Sequence, residues 1–185
     1  MRPRQSLPLL WLLSDARNDA GLEQALAALP AGSGFVFRHY HLPDEVRHAR
    51  FAELATAARQ AGHVVVLSGD AATARAWGAD GVYGAGALER GAEDLLRLAT
   101  AHSGEEIARA AAAGVDGVDG VFLSPVFATR SHPDAKTLGI HGFHVLAQQS
   151  PIPVIALGGM TKARADELGW PRWGAIDGLI APPAC

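Results

Sequence analysis

Gly158-Gly159 is where this 185-residue chain most plainly offers chemistry. The pair follows an apolar run, Pro153–Leu157, and precedes a helical stretch that Thr161 is placed to cap. Glycines there leave backbone N–H groups open beside the positive end of a helix dipole, which makes a seat for phosphate. A tight turn with no ligand uses the same two residues, so other groups must decide. Ser124–His132 supplies hydroxyls at Ser124, Thr129 and Ser131 and cations at Arg130 and His132. Such a loop can close over an anion, although a solvated surface loop has the same composition. His102 stands between Thr100 and Ser103, where an imidazole can move protons near neutral pH. Ser103-x-x-Glu106 also has the form of a capping box, so a structural role for His102 stays open. His39, His41 and His48 lack the convergent carboxylate or cysteine spacing of a metal site, as do His141 and His144, and read as satisfied or exposed. Trp77, Trp170 and Trp173 read as packing residues.

These groups need elements to hold them. Short apolar runs predict eight strands: Leu7–Leu13, Gly34–His39, His63–Ser68, Gly81–Gly84, Leu96–Thr100, Gly120–Val126, Pro153–Leu157 and Ile176–Ile180. Between them lie helical stretches at Leu22–Leu29, Val46–Ala61, Ala71–Trp77, Gly104–Ala113, His141–Gln149 and Thr161–Leu168. Phe51, Leu54, Ala55 and Ala58 follow the stripe of a helix that covers a sheet. Val64-Val65-Val66-Leu67 is continuously apolar, as parallel strands buried on both faces are. Gly78-Ala-Asp-Gly-Val, Gly114-Val-Asp-Gly-Val and Gly174-Ala-Ile-Asp-Gly-Leu form a weak repeat, each expected to close a helix and open a strand. Eight such units predict a (β/α)₈ TIM barrel, and the absence of a GxGxxG fingerprint after the first strand counts against an open doubly wound sheet. Ala87–Asp94 leaves room for only one helical turn, and no final helix is expected after Ile180. In such a barrel the polar clusters at the strand ends share one rim, where active sites form.

Composition narrows the classes. With 49% hydrophobic and 19% charged residues the chain reads as one globular domain over 1–185. A net charge of −3 without clustered bases argues against nucleic acid or a membrane surface as partner. Leu7–Leu13 is too short to span a bilayer, and no small-residue cleavage site follows it, so it reads as a buried strand. The single cysteine is Cys185, which excludes an internal disulfide and makes a cytoplasmic setting the expectation. Without a closing helix, strands eight and one should bare an apolar patch, so a homodimer or larger assembly is expected.

Taken in order, these motifs resemble thiamine phosphate synthase and its relative, the TenI-type thiazole tautomerase. The resemblance runs from about Leu12 to Ile180, through Gly78–Val82, Ala101–Glu106, Ser124–Thr129 with Pro133–Lys136 and Leu138-Gly139, and Pro153–Met160. It implies a (β/α)₈ barrel that joins hydroxymethylpyrimidine diphosphate to thiazole phosphate with Mg²⁺, small phosphorylated pyrimidine and thiazole metabolites being the partners. By position, Arg38 looks like the arginine that meets the diphosphate. Thr100, Thr129, Ser131 and His132 take the places of the substrate-binding residues on strand five and its neighbouring loop. Gly158-Gly159 matches the thiazole-phosphate seat, and His102 the proton-transferring histidine of the tautomerase. The family's metal carboxylates fall on Ser68-Gly69 and on Ala87 and Leu88, leaving Asp70 as the metal ligand, one step late. Two lysine positions hold Tyr40 and His132, and the strand-eight end reads Ala181-Pro182-Pro183, without N–H groups for a phosphate. The resemblance thus implies a synthase with weak Mg²⁺ binding. Its alternatives are a metal-free tautomerase using His102 and a non-catalytic binder of thiamine-type phosphates.

Overall fold

The computed structural model describes residues 6–114, 116–131 and 133–180. Eight parallel strands close into a barrel in sequence order. They are β1 (Leu10–Leu13), β2 (Gly34–Phe37), β3 (Val64–Ser68), β4 (Gly81–Tyr83), β5 (Leu96–Ala101), β6 (Gly120–Leu123), β7 (Val154–Ala156) and β8 (Trp173–Ala175). The covering helices are α1 (Leu22–Ala28), α2 (Asp44–Gln60), α3 (Ala71–Ala76), α4 (Gly104–Ala111), α5 (Gly139–Gln149) and α6 (Lys162–Leu168). The fold is the (β/α)₈ barrel that the alternation of apolar runs predicts.

Alternate residues on each strand make two cores. Trp11, Leu13, Val36, Val66, Tyr83, Leu98, Phe122 and Ile155 fill the barrel, and Leu7 joins them. The opposite set, including Leu12, Phe35, Val65 and Val121, packs under the helices. Trp11 is fully buried, and its bulk dictates its neighbours. β1 pairs with β2 at Trp11–Gly34 and with β8 at Trp11–Gly174. A Cβ on Gly34 would lie 2.2 Å from the indole, and one on Gly174 would lie 3.1 Å from the Trp11 Cβ. Glycine in a strand here marks a close approach, not a turn.

That pairing moves the eighth strand. It runs over Trp173–Ala175, not the expected Ile176–Ile180, and Gly174 lies within it instead of ending a helix. The residue that ends α6 is Gly169, in the left-handed conformation at φ 63°. Ile176–Ile180 becomes the loop leaving β8, so the strand-eight rim consists of Ile176-Asp177-Gly178. Ala181–Pro183 and Cys185 lie outside the described residues.

Among the described residues the expected apolar patch over β8 and β1 is largely covered, though Leu9 stays exposed. Leu12, Trp173 and Ala175 are buried, with Leu179 and Ile180 packed against the same core. Ile180 stands on Gly21, its Cγ2 only 2.8 Å from where a Cβ would be. The chain's own segment covers part of the face that an eighth helix would take. The other shortened interval is filled differently. After β4 the chain makes a 3-10 turn, Gly84–Leu88, and the buried Arg97 donates to the carbonyls of Ala87 (2.7 Å) and Gly117 (2.8 Å). A charged side chain holds in place what a helix would otherwise cover.

Candidate functional site

A cavity of about 900 Å³ opens at the C-terminal ends of the strands. It is lined by Arg38 from the end of β2, Thr100 from β5, His102 beyond β5, Thr129 and Ser131 from the loop after β6, and Gly158 and Gly159 from the loop after β7. Residues scattered over most of the chain thus share one wall, as the barrel's rim requires. His132 lies outside the described residues.

The arginine side of the rim is tied from below. The N–H of Arg38 donates to the Ser14 hydroxyl at 2.7 Å, and its Nη2 lies 3.4 Å from a carboxylate oxygen of Asp15. The Arg38 Nε is buried and has no protein partner. Arg47 of α2 donates to the backbone carbonyls of Arg38 (2.9 Å) and Ser68 (2.6 Å), fixing the ends of β2 and β3 together. Burial holds the Arg47 guanidinium below its ordinary pKa. The Tyr40 ring lies 5.5 Å from the Arg38 guanidinium, and its hydroxyl hydrogen-bonds the Ser68 hydroxyl. Tyr83, buried in the cavity wall, has its phenol pKa pushed well up by burial, so it meets the cavity as a neutral hydroxyl.

His39 is structural. It is buried at φ 35°, lies flat on Phe37, and spans Ser14 Oγ (2.8 Å) and Asp19 Oδ1 (2.8 Å). Burial lowers its pKa against the pull of Asp19. Burial would raise Asp19, but hydrogen bonds from Arg50 and His39 outweigh it and leave that carboxyl below its usual range. His48 stacks on Trp77, and His144 shares a hydrogen bond with the Leu168 carbonyl. None of these is among the residues that line the cavity.

The glycine side is built by close backbone approach. Gly158 has φ 95° and Gly159 has φ 64°. A Cβ on Gly158 would lie 2.6 Å from Pro125 Cα, and one on Gly159 would lie 2.4 Å from the Ala128 carbonyl oxygen. Only glycine meets both demands. Thr161 caps α6 by accepting from the Arg164 N–H at 3.3 Å. Arg164 itself lines the cavity, donating to the Gly159 carbonyl at 2.5 Å with its guanidinium over the Phe127 ring.

Arg17, from the polar cluster Ser14–Arg17 at the end of β1, also lines the cavity, as do Arg164 and Asp177, which the sequence did not single out. Arg17 Nε donates to both carboxylate oxygens of Asp177 at 3.0 Å, and its Nη2 donates to Ser131 Oγ at 2.8 Å. Asp15 lies 3.5 Å from Arg17 Nη1 and so stands between the two arginines of the rim. Four arginines (Arg17, Arg38, Arg130 and Arg164) line the cavity against one carboxylate, Asp177. In a chain of net charge −3 this is a local cationic basin, suited to anions.

His102 reaches the cavity from a half-exposed position. Glu106 accepts from its backbone N–H at 2.5 Å and lies 3.1 Å from its Nδ1. The backbone hydrogen bond from His102, joined by the bond to its ring, keeps the Glu106 carboxyl below its usual range despite some burial. Ser103 accepts from the Glu106 N–H, so the expected cap forms and holds the histidine's own partner in place.

The metal expectation meets a different donor set. Asp70 caps α3, accepting from the Thr73 N–H at 2.7 Å and from the Thr73 hydroxyl at 3.0 Å, and it is not among the lining residues. These bonds from Thr73 lower its pKa. Among the described residues no three His, Cys, Asp or Glu are grouped to hold a metal ion. Among the described residues the one carboxylate in the cavity wall, that of Asp177, is clasped by Arg17. Mg²⁺ takes hard oxygens, usually from one or two carboxylates, and these residues do not fit it.

The glycines and arginines of the rim face one cavity at the C-terminal ends of a (β/α)₈ barrel, and comparison with known proteins places that barrel in a family. The family model "Thiamine monophosphate synthase" matches residues 10–170, and the chain belongs to that family. A thiamine-phosphate synthase of Chloroflexus aurantiacus is 28% identical over 174 residues, covering 86% of this chain and 77% of that one. A putative thiamine-phosphate synthase 2 of Aquifex aeolicus is 44% identical over 46 residues, a quarter of each chain. Among solved structures, a thiamine phosphate pyrophosphorylase from Pyrococcus furiosus superposes with a TM-score of 0.76 at 24% identity, covering 94% of this chain and 87% of that one. This last likeness carries the fold alone. No helix of the described residues is long and apolar enough to cross a membrane.

Proposed function

We propose that the protein is a thiamine phosphate synthase-type transferase that joins a hydroxymethylpyrimidine diphosphate to a thiazole phosphate without a divalent cation. The observation that carries this is the cavity wall, in which four arginines face Asp177, with Asp15 behind Arg17 and Arg38, and in which the described residues hold no carboxylate group fit for Mg²⁺. In this reading the diphosphate lies at Arg38, whose buried Nε has no protein partner, with Tyr83 as a neutral donor beside it. The thiazole phosphate lies at Gly158-Gly159. The bond between the pyrimidine methylene carbon and the diphosphate oxygen breaks, the electron pair leaving with pyrophosphate. The thiazole nitrogen then supplies its lone pair to form the new C–N bond. Arginines fixed before the reaction stabilise the departing charge without reorganising, the same service a metal ion gives elsewhere.

A second reading has its own observation, the His102–Glu106 pair at the cavity edge. A histidine oriented by a carboxylate suits proton transfer, and a metal-free thiazole tautomerase would use it. Thiamine phosphate formation followed in EDTA and in Mg²⁺ tests the first reading. Isomerisation of a thiazole carboxylate phosphate by wild type and His102→Ala tests the second. Binding of both phosphates with no turnover of either would leave a non-catalytic binder.

A further inference from the structure

Arg17 joins three rim loops that are far apart in sequence. It belongs to the loop after β1, holds Asp177 in the loop after β8, and holds Ser131 in the loop after β6. Those last two loops are the ones that flank the double-glycine turn. A Cβ on Gly159 would strike the Ala128 carbonyl of the β6 loop, and one on Gly178 would come within 2.1 Å of the Met160 carbonyl, next to Gly159. Arg17 therefore bridges the two walls of the proposed phosphate seat. Its side chain is 27% exposed and that of Asp177 is 40% exposed, so both remain open to a ligand.

We propose that Arg17 is a phosphate-binding residue of this seat, and that Asp177 holds its guanidinium and yields it when a phosphate enters. A guanidinium has five N–H donors in a planar fork that suits a carboxylate or a phosphate equally well. Both Asp177 oxygens share the one Nε–H at 3.0 Å, so the carboxylate holds a single donor that two oxygens of a phosphate could take over. An exposed ion pair is worth little, so exchanging one anion for another costs little. The carboxylate nonetheless repels an incoming phosphate and competes for the same donors. Ser131, on Nη2, keeps the guanidinium between the two walls while its anion is exchanged.

The proposal rests on the phosphate-binding reading above, and one experiment separates the two. Inorganic phosphate is titrated into wild type, Arg17→Gln and Asp177→Asn by calorimetry in EDTA, with thermal unfolding run on each. The expected result is opposite signs: Arg17→Gln weakens binding about tenfold, the value of one charge-assisted hydrogen bond, and Asp177→Asn tightens it. Both variants should melt with the wild type, since the pair lies at the surface. If wild type binds phosphate and Arg17→Gln binds it equally well, Arg17 is no ligand and the inference fails while the seat stands. If Asp177→Asn weakens binding as Arg17→Gln does, the carboxylate only orients the arginine and the exchange is wrong. If no protein binds phosphate, the seat itself is wrong and the inference falls with it.

Discussion

The two sides of the cavity rim hold their ligand groups by different physics. On the glycine side, backbone lies on backbone: Gly158, Gly159 and Gly178 leave no room for a Cβ, and their shape is fixed by contact. On the arginine side, side chains are held by hydrogen bonds to strand ends, with Arg47 on the carbonyls of Arg38 and Ser68 and Asp15 beside Arg38. A seat made of backbone suits an end-on phosphate, whereas a seat made of side chains can follow a diphosphate as its charge shifts. The difference predicts that each side fails in its own way.

The largest effect should come from Arg38. Arg38→Gln removes the cation assigned to the leaving diphosphate and is expected to lower turnover about a hundredfold, as loss of one preorganised donor does. Thiazole phosphate affinity should hardly change. Equal loss at both substrates would make the two sides one site. Gly159→Ala comes next. At φ 64° with a carbonyl oxygen 2.4 Å from the new Cβ, it combines about 1–2 kcal/mol of left-handed strain with a clash. A lower melting temperature together with weaker thiazole phosphate binding is expected. An unchanged melt would mean that the loop relaxes freely and is not fixed by contact.

His102→Ala should be smaller, less than about tenfold on thiamine phosphate formation, because the leading reading gives the imidazole no proton to carry. A greater loss confined to a thiazole isomerisation would favour the tautomerase. The smallest effect is on stability in mild acid. Folded His39 binds a proton less readily than the ordinary value of 6.5, so the unfolded chain takes up protons first as pH falls. Stability present above about pH 6.5 is lost as the pH drops toward the lower folded value. Melting temperatures from pH 7.5 to 5.5 should show that slope in wild type and a flatter one in His39→Asn, which suits the positive φ. Equal slopes would assign the effect elsewhere.

The parts of this account legible in sequence are those written in neighbouring residues. Val64–Leu67 announces a buried strand, Ser103 and Glu106 a cap, and Gly158-Gly159 a turn before a helix. What stayed hidden depends on pairings between distant residues. β8 is three residues long, and its placement follows from Gly174 fitting beside Trp11 across the closed barrel. Ile176, Leu179 and Ile180 look like a strand because they are apolar, yet Ile176 faces the barrel interior and the cavity while Leu179 and Ile180 pack on the outer core. Arg17 and Asp177 are joined across 160 residues, so no local spacing could pair them. Asp70 shows how a local reading leaves a role open. A carboxylate near a strand end looks available for metal until the helix it caps is drawn.

The central claim is that fixed arginines replace the divalent cation. The most direct measurement is thiamine phosphate formation from the pyrimidine diphosphate and the thiazole phosphate, in EDTA and again with Mg²⁺. Product is expected in EDTA at a rate that added Mg²⁺ leaves unchanged and that Arg38→Gln lowers about a hundredfold. Product formed only when Mg²⁺ is present would contradict the claim.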